Sequence, residues 1–168
     1  MKKAADSLVE NIAMRDGVPP GWRRLYDRLI VDLYRLDCAA EVTAARAHRG
    51  ELAVTLASHA AMPAGVDRLI DAARCASAAL CEECGAVASL HDGNGTVRSL
   101  CGPHCRLELA VQAATERLFE GERAEALRWV DAFAVALGEA PGERAMRSQQ
   151  GFEEVLALIR RIESGVHC

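Results

Sequence analysis

The chain has 168 residues, with 24 acidic against 20 basic side chains and a formal net charge of −4. That length suits one compact domain or two small ones, and the near-balance of charge removes any general affinity for polyanions, leaving nucleic acid unsupported rather than excluded. No apolar run approaches the roughly 20 residues that a bilayer span requires, and charges occupy the opening stretch "MKKAADSLVENIAMRD" where a secretory leader carries an apolar core, so a cytoplasmic protein without a membrane partner is expected.

The prolines at 19 and 20 and Gly21 stop any helix begun by residues 4 to 15, and Trp22, Leu25, Tyr26, Leu29, Leu33 and Leu36 then recur at helical spacing, which predicts one amphipathic helix. The next stretch changes period. Leu52, Val54 and Leu56 alternate with Ala53, Thr55 and Ala57, and Arg49-Gly50 interrupts two extended arms, so a β-hairpin is expected, although the alanine-rich first arm is also compatible with helix. Met62-Pro63 then opens a helix that carries Val66, Leu69, Ile70 and Ala73 on one face.

That helix delivers the chain to "CEECGAVASLHDGNGTVRSLCGPHC", Cys81 to Cys105, which holds four of the seven cysteines. In a reducing compartment such a cluster points to metal ligation rather than to disulfides. Cys81 and Cys84 form one C-x2-C knuckle, with Gly85 placed for the tight turn that aims both sulfurs at one ion. Cys101 and His104 form a second knuckle at the same spacing. Asp92-Gly93-Asn94-Gly95 is a turn signal between two short arms, which would bring the knuckles together as in a zinc ribbon. Three thiolates and an imidazole favour Zn²⁺. Cys105 is an alternative fourth ligand in place of His104. Four protein ligands close the coordination sphere, so the expected role is structural. Cys38, Cys75 and Cys168 stand apart as ordinary thiols.

Beyond the cluster only helical periods remain. Leu107, Val111, Ala114 and Leu118 form one stripe ending at Gly121, and Leu127, Val130, Phe133 and Leu137 form a second ending at Gly138, so a helical hairpin is expected. A connector, "EAPGERAMRSQQG", leads to a last helix with Phe152, Val155, Leu156, Ile159 and Ile162 on its apolar face before Gly165. The fold class expected is mainly α with a small β-hairpin and a zinc-ribbon-like knuckle over residues 1–105, followed by an all-α helical domain over residues 106–168.

Two resemblances add to this reading. Gly21-Trp22, "LIDAARCASAALCEECGA" and "SLCGPHC", within residues 19 to 105, resemble a group of small phage and prophage proteins; the resemblance supports His104 as a ligand. Phe119, Ala126, Leu127, Trp129, Leu137, Gly138, Pro141, Gly151, Val155, Ile159, Arg161, Ile162, Gly165 and Val166, spread over about residues 110 to 168, resemble the toxin-binding domain of Xre/MbcA/ParS-type antitoxins. Glu139 departs from that pattern where glycine usually repeats. Pro141 lies one place early, and Phe133 replaces a common proline. The family's usual N-terminal helix-turn-helix is replaced by the metal segment, so operator binding does not carry over.

The second resemblance implies a non-enzymatic antitoxin that neutralises a RES-domain, NAD⁺-consuming toxin by sending its C-terminal segment toward the NAD pocket. Its implied toxin-binding residues are Trp129, Arg161, Ile162, Gly165, Val166, His167 and Cys168. The fork of donors on Arg161 suits carboxylate or phosphate-like acceptors, and a glycine at 165 lets the chain leave the helix through a left-handed turn. The alternative is a zinc-ribbon phage or prophage regulator that binds nucleic acid or a host protein. Arg98 and Arg106 would serve the nucleic-acid form of that alternative, and Glu82, Glu83 and Asp92 oppose it. A catalytic role is least favoured, since His48, His59, His91 and Cys38 show no paired acid or base spacing. A homo-oligomer is compatible with either reading.

Overall fold

The computed structural model describes residues 2–36, 41–57, 62–93 and 96–165. The chain is mainly α-helical, with two small antiparallel two-stranded sheets among the described residues. It divides into two compact units, residues 1–101 and 102–168.

In the first unit α1 spans Lys2–Ala13 and passes through a 3-10 turn at Met14–Gly17 to buried Val18. A second 3-10 turn, Pro20–Trp22, leads into α2, Arg23–Arg35. Proline fits the first position of that turn because its missing N–H would have no partner there and its φ is already helical. Trp22, Tyr26, Leu29, Ile30 and Leu33 are all buried, a stripe of helical period that forms the centre of the first core. Leu36, expected on this stripe, lies just past the helix end and is 38% exposed.

The predicted hairpin is present as β1, Val42–His48, and β2, Glu51–Leu56. His48 pairs with Glu51 across Arg49 and Gly50, whose φ values of 53° and 74° are both left-handed, as a two-residue type I′ turn requires. The register shifts between Val42 and Ala44. Strict alternation would put Val42 and Ala45 on opposite faces; the extra residue of the bulge lets both enter the core. Helix α3, Val66–Ser77, starts three residues later than Pro63 suggests, after Gly65 in a left-handed conformation at φ 102°. The buried Ser77 hydroxyl accepts from Leu52 N at 2.7 Å and donates to Arg74 O at 2.6 Å, which fixes α3 on β2. Buried Asn11 does the same for α1: its Oδ1 accepts from Val42 N at 2.7 Å and its carbonyl accepts from Tyr26 Oη at 2.6 Å.

The second sheet is a ribbon of β3, Ser89–Gly93, and β4, Thr96–Leu100, in register from Ser89 opposite Leu100 to Gly93 opposite Thr96. Asn94 and Gly95 of the expected turn lie outside the described residues.

The second unit contains α4, Gly102–Leu118; α5, Arg123–Asp131; α6, Pro141–Arg147; and α7, Gln149–Glu163. Val111, Ala114, Ala145, Val155 and Ile159 form its core, with Leu118, Trp129, Val130, Leu137, Phe152 and Leu156 packed around them. Two sequence expectations need correction here. Helix α5 stops at Asp131 rather than at Gly138, and Phe133, placed on its apolar stripe, is 69% exposed on the following loop. The connector, in turn, holds helix α6. The cause of both lies in the loop. Ala134 N donates to Glu139 O at 3.1 Å, and the Glu139 carboxylate pairs with Arg144 at 3.2 Å and Arg147 at 2.5 Å, so the chain closes on itself before Pro141 begins α6. Of the predicted stripe, Val130 on α5 and Leu137 on the loop both pack against the core.

Candidate metal centre

The geometry of the first knuckle is set by its backbone. Gly85 N donates to Cys81 O at 2.9 Å and Cys81 N donates to Ala86 O at 2.8 Å. Gly85 sits at φ 73°, a left-handed conformation that a side chain would strain. Leu80 and Val87 pair as an isolated bridge just outside this turn. The second knuckle starts where β4 ends: Leu100 is fully buried, Cys101 nearly so, and the chain turns directly into α4, placing His104 in that helix's first turn.

Cys81, Cys84, Cys101 and His104 converge, with one ligand atom from each lying within 4.8 Å of all the others. Cys84 Sγ and Cys101 Sγ are 3.8 Å apart. Two sulfurs bound at about 2.3 Å to one tetrahedral ion would stand about 3.8 Å apart, so the spacing is that of co-ligands. Cys81 and Cys101 are buried, His104 is half-buried and Cys84 is exposed. Desolvation pushes the Cys84 thiol up to about 11; hydrogen bonds with Cys101 and Cys81 reinforce the rise and the Ala86 backbone opposes it. A cation is the partner that would displace those protons, since the thiolate is the ligating form. Cys105, the alternative ligand, follows His104 on α4 and is not among the four that converge. Cys75 is exposed on α3, and Cys38 and Cys168 lie outside the described residues.

Glu82, inside the first knuckle, joins it to the ribbon. Its buried carboxylate accepts from Ser99 N at 2.8 Å and from Arg98 Nε at 3.1 Å, while its own N–H donates to Ser99 O at 2.9 Å. The Arg98 guanidinium also donates to Glu83 at 2.6 Å. These acids and Arg98 read as opposing surface charges in the sequence; folded, they are one ion-paired group that holds β4, and with it Cys101, against Cys81 and Cys84. Ligand orientation by such outer contacts is a general feature of metal sites. The sequence signal for this pair is a glutamate within the C-x2-C knuckle and an arginine three residues before the next ligand; the ribbon register itself sets Arg98 opposite His91, and the contact with Glu82 is made across the knuckle.

The knuckle meets the first core through Gly21 and Trp22. Gly21 N donates to Glu82 O at 2.7 Å, and Trp22 Nε1 donates to Leu80 O at 2.7 Å. Any Cβ on Gly21 would overlap the Cys81 carbonyl oxygen and the Gly85 nitrogen.

The residues named for toxin contact are on the second unit. Trp129 is half-buried on α5 against the core, Arg161 is exposed on the last turn of α7 and Ile162 is half-buried. Ser164 Oγ donates to Arg161 O at 2.8 Å, and Gly165 stands at φ 71°. Val166, His167 and Cys168 lie outside the described residues. No described helix is long and apolar enough to cross a membrane.

Comparison with protein-family models, curated proteins and solved structures finds no match to this chain.

Proposed function

We propose that this chain is an antitoxin-like binding protein, not an enzyme, that its metal is a structural Zn²⁺, and that its C-terminal helical unit neutralises a RES-domain toxin by covering the NAD pocket. The observation that carries the metal half is the convergence of Cys81, Cys84, Cys101 and His104 at co-ligand spacing. A soft, thiolate-rich tetrahedral set suits Zn²⁺ over the hard cations. The ion supplies a cross-link between the two knuckles, and binding free energy of such a site is folding free energy. The chain's own residues do the rest: Glu82 and Arg98 align the knuckles, and Gly85 turns the first of them.

Support for the toxin half comes from the C-terminal pattern and from the end of α7. There Arg161 is exposed, and Gly165 takes the left-handed conformation that directs a chain away from a helix axis. Gly151, another position of the pattern, has a packing reason, since a Cβ there would overlap the Arg144 carbonyl oxygen of α6. Nucleic-acid binding by the ribbon is the weaker reading because Arg98 spends its charge on Glu82 and Glu83. The test is copurification of the tagged chain with a RES-domain toxin encoded beside it, followed by an assay of NAD⁺ consumption. Deleting Gly165 to Cys168 should leave zinc content and helicity unchanged and relieve the inhibition. A truncated chain that still silences the toxin at full strength overturns occlusion by the tail, and failure to copurify any such toxin overturns the antitoxin reading.

A further inference from the structure

Gly21-Trp22 is a sequence motif that neither the metal ligands nor the helical unit accounts for. Its two contacts with the knuckle join positions 58 residues apart in the case of Trp22 and Leu80. Both are made by N–H donors on peptide carbonyls that bracket Cys81: Gly21 N on Glu82 O, and Trp22 Nε1 on Leu80 O, each at 2.7 Å. The approach is closed from the other side as well, since a Cβ on Gly85 would lie 2.8 Å from Gly21 O. Two glycines, one from each segment, therefore permit a backbone-to-backbone contact that no other residue type allows. Trp22 is itself fully buried among Tyr26, Leu29 and Leu33, so the carbonyl it holds is fastened to the centre of the first core.

Resting on the metal reading above, we propose that Gly21 and Trp22 are positioning residues of the metal centre, so that metal uptake and the seating of Trp22 in the core are one linked event. The physical reason is direct. Leu80 and Glu82 flank a ligand, and fixing their carbonyls fixes the direction in which Cys81 presents its sulfur. Conversely, an ion that holds Cys81 and Cys84 holds the carbonyls that the indole and the Gly21 amide require. Linkage makes the two effects reciprocal: whatever seats Trp22 tightens metal binding, and metal seats Trp22. Outer contacts of this kind are worth about 10- to 100-fold in metal affinity.

The chain has two tryptophans, one in each unit, so biosynthetic labelling with fluorotryptophan gives two resonances that the Trp22→Phe variant assigns. Titrating the chelator-stripped full chain with Zn²⁺ should move the Trp22 resonance in proportion to occupancy, saturating at one ion per chain, while that of Trp129 stays in place. Trp22→Phe keeps an aromatic ring and deletes only the donor to Leu80 O; it should weaken Zn²⁺ binding about tenfold in chelator competition. It should also shift the visible absorption of the Co²⁺-loaded protein, a signature of ligand geometry that a general loss of stability would not produce. If the wild type takes up no stoichiometric Zn²⁺, the metal reading itself fails. If it takes up one ion while the Trp22 resonance is indifferent to it, or while Trp22→Phe binds with wild-type affinity and an unchanged Co²⁺ spectrum, the metal reading stands and the positioning role is overturned. The resonance experiment needs no substitution for its central observation, so a poorly folding variant does not remove the test.

Discussion

At the scale of single residues, the ligand set makes a clean prediction. Cys84→Ser removes one of four donors and should abolish stoichiometric zinc, measured by elemental analysis, together with the cooperative unfolding of the first unit. Cys105→Ser should keep its zinc, because Cys105 is not among the converging groups; loss of zinc there with retention in His104→Ala would reverse the assignment. Tyr26 offers a second test, independent of metal. Its buried hydroxyl donates to Asn11 O, and burial, with the Asp27 charge adding to it, pushes the phenol up to about 12 from its ordinary 10. The fold favours the neutral phenol, so the stabilisation is whole below pH 10 and is lost as pH rises toward 12. Tyr26→Phe should cost about 1 to 2 kcal/mol near neutrality, since it deletes a buried hydrogen bond between the hydroxyl and the Asn11 carbonyl. The stability gap between wild type and variant, followed by urea denaturation across a pH series, should stay constant up to pH 10 and narrow above it.

At the scale of elements, the informative place is the stretch between α5 and α6. Its run of apolar residues, "AFAVAL", continues the helical stripe through Phe133 and Leu137 but also alternates large and small side chains, so the pattern by itself does not decide between a continued helix and the loop that forms. The loop is decided by Glu139, whose carboxylate draws in Arg144 and Arg147, and by Gly138 at φ 72°. Phe133→Ser should therefore change stability by no more than about 0.5 kcal/mol, as for other exposed positions. A loss of several kcal/mol in thermal unfolding would mean that Phe133 is packed as the helical period suggests. Gly151→Ala is the opposite case. Alanine is the better helix former, yet its methyl would strike the Arg144 backbone, so the substitution should destabilise the second unit by about 1 to 3 kcal/mol.

At the scale of the whole molecule, the chain is two units, each with its own core, and the described residues hold one candidate metal centre, whose first three ligands all lie in residues 1–101. Small cores of this size are marginal by burial alone, and a metal cross-link is one of the ways such folds gain the difference. Removing the metal with a chelator should lower the calorimetric transition of the first unit by well over 10 °C, on the order expected for losing several kcal/mol from about 100 residues. The transition that reports the second unit should move little. A single transition that shifts as a whole would show the two cores to be energetically coupled.

What the sequence determined by itself is what local rules govern. Helical period placed Tyr26, Leu29 and Leu33 on one face of α2, and Val155 and Ile159 on one face of α7; the break that Arg49-Gly50 makes between two extended arms placed the hairpin turn; ligand chemistry and the repeated x2 spacing singled out Cys81, Cys84, Cys101 and His104. Each of these signals is contained in a few neighbouring residues. The tertiary structure alone decided the end of α5, the existence of α6, the bulge that buries both Val42 and Ala45, the pairing of Glu82 with Arg98, and the docking of Gly21-Trp22 on the first knuckle. Those depend on which distant segments meet. A glycine shows only that some close approach is permitted, and a charge shows only that some counter-charge is wanted. The partner is supplied by the fold, because hydrogen bonds and ion pairs are short-ranged and their strength is fixed by geometry that no run of neighbouring residues contains.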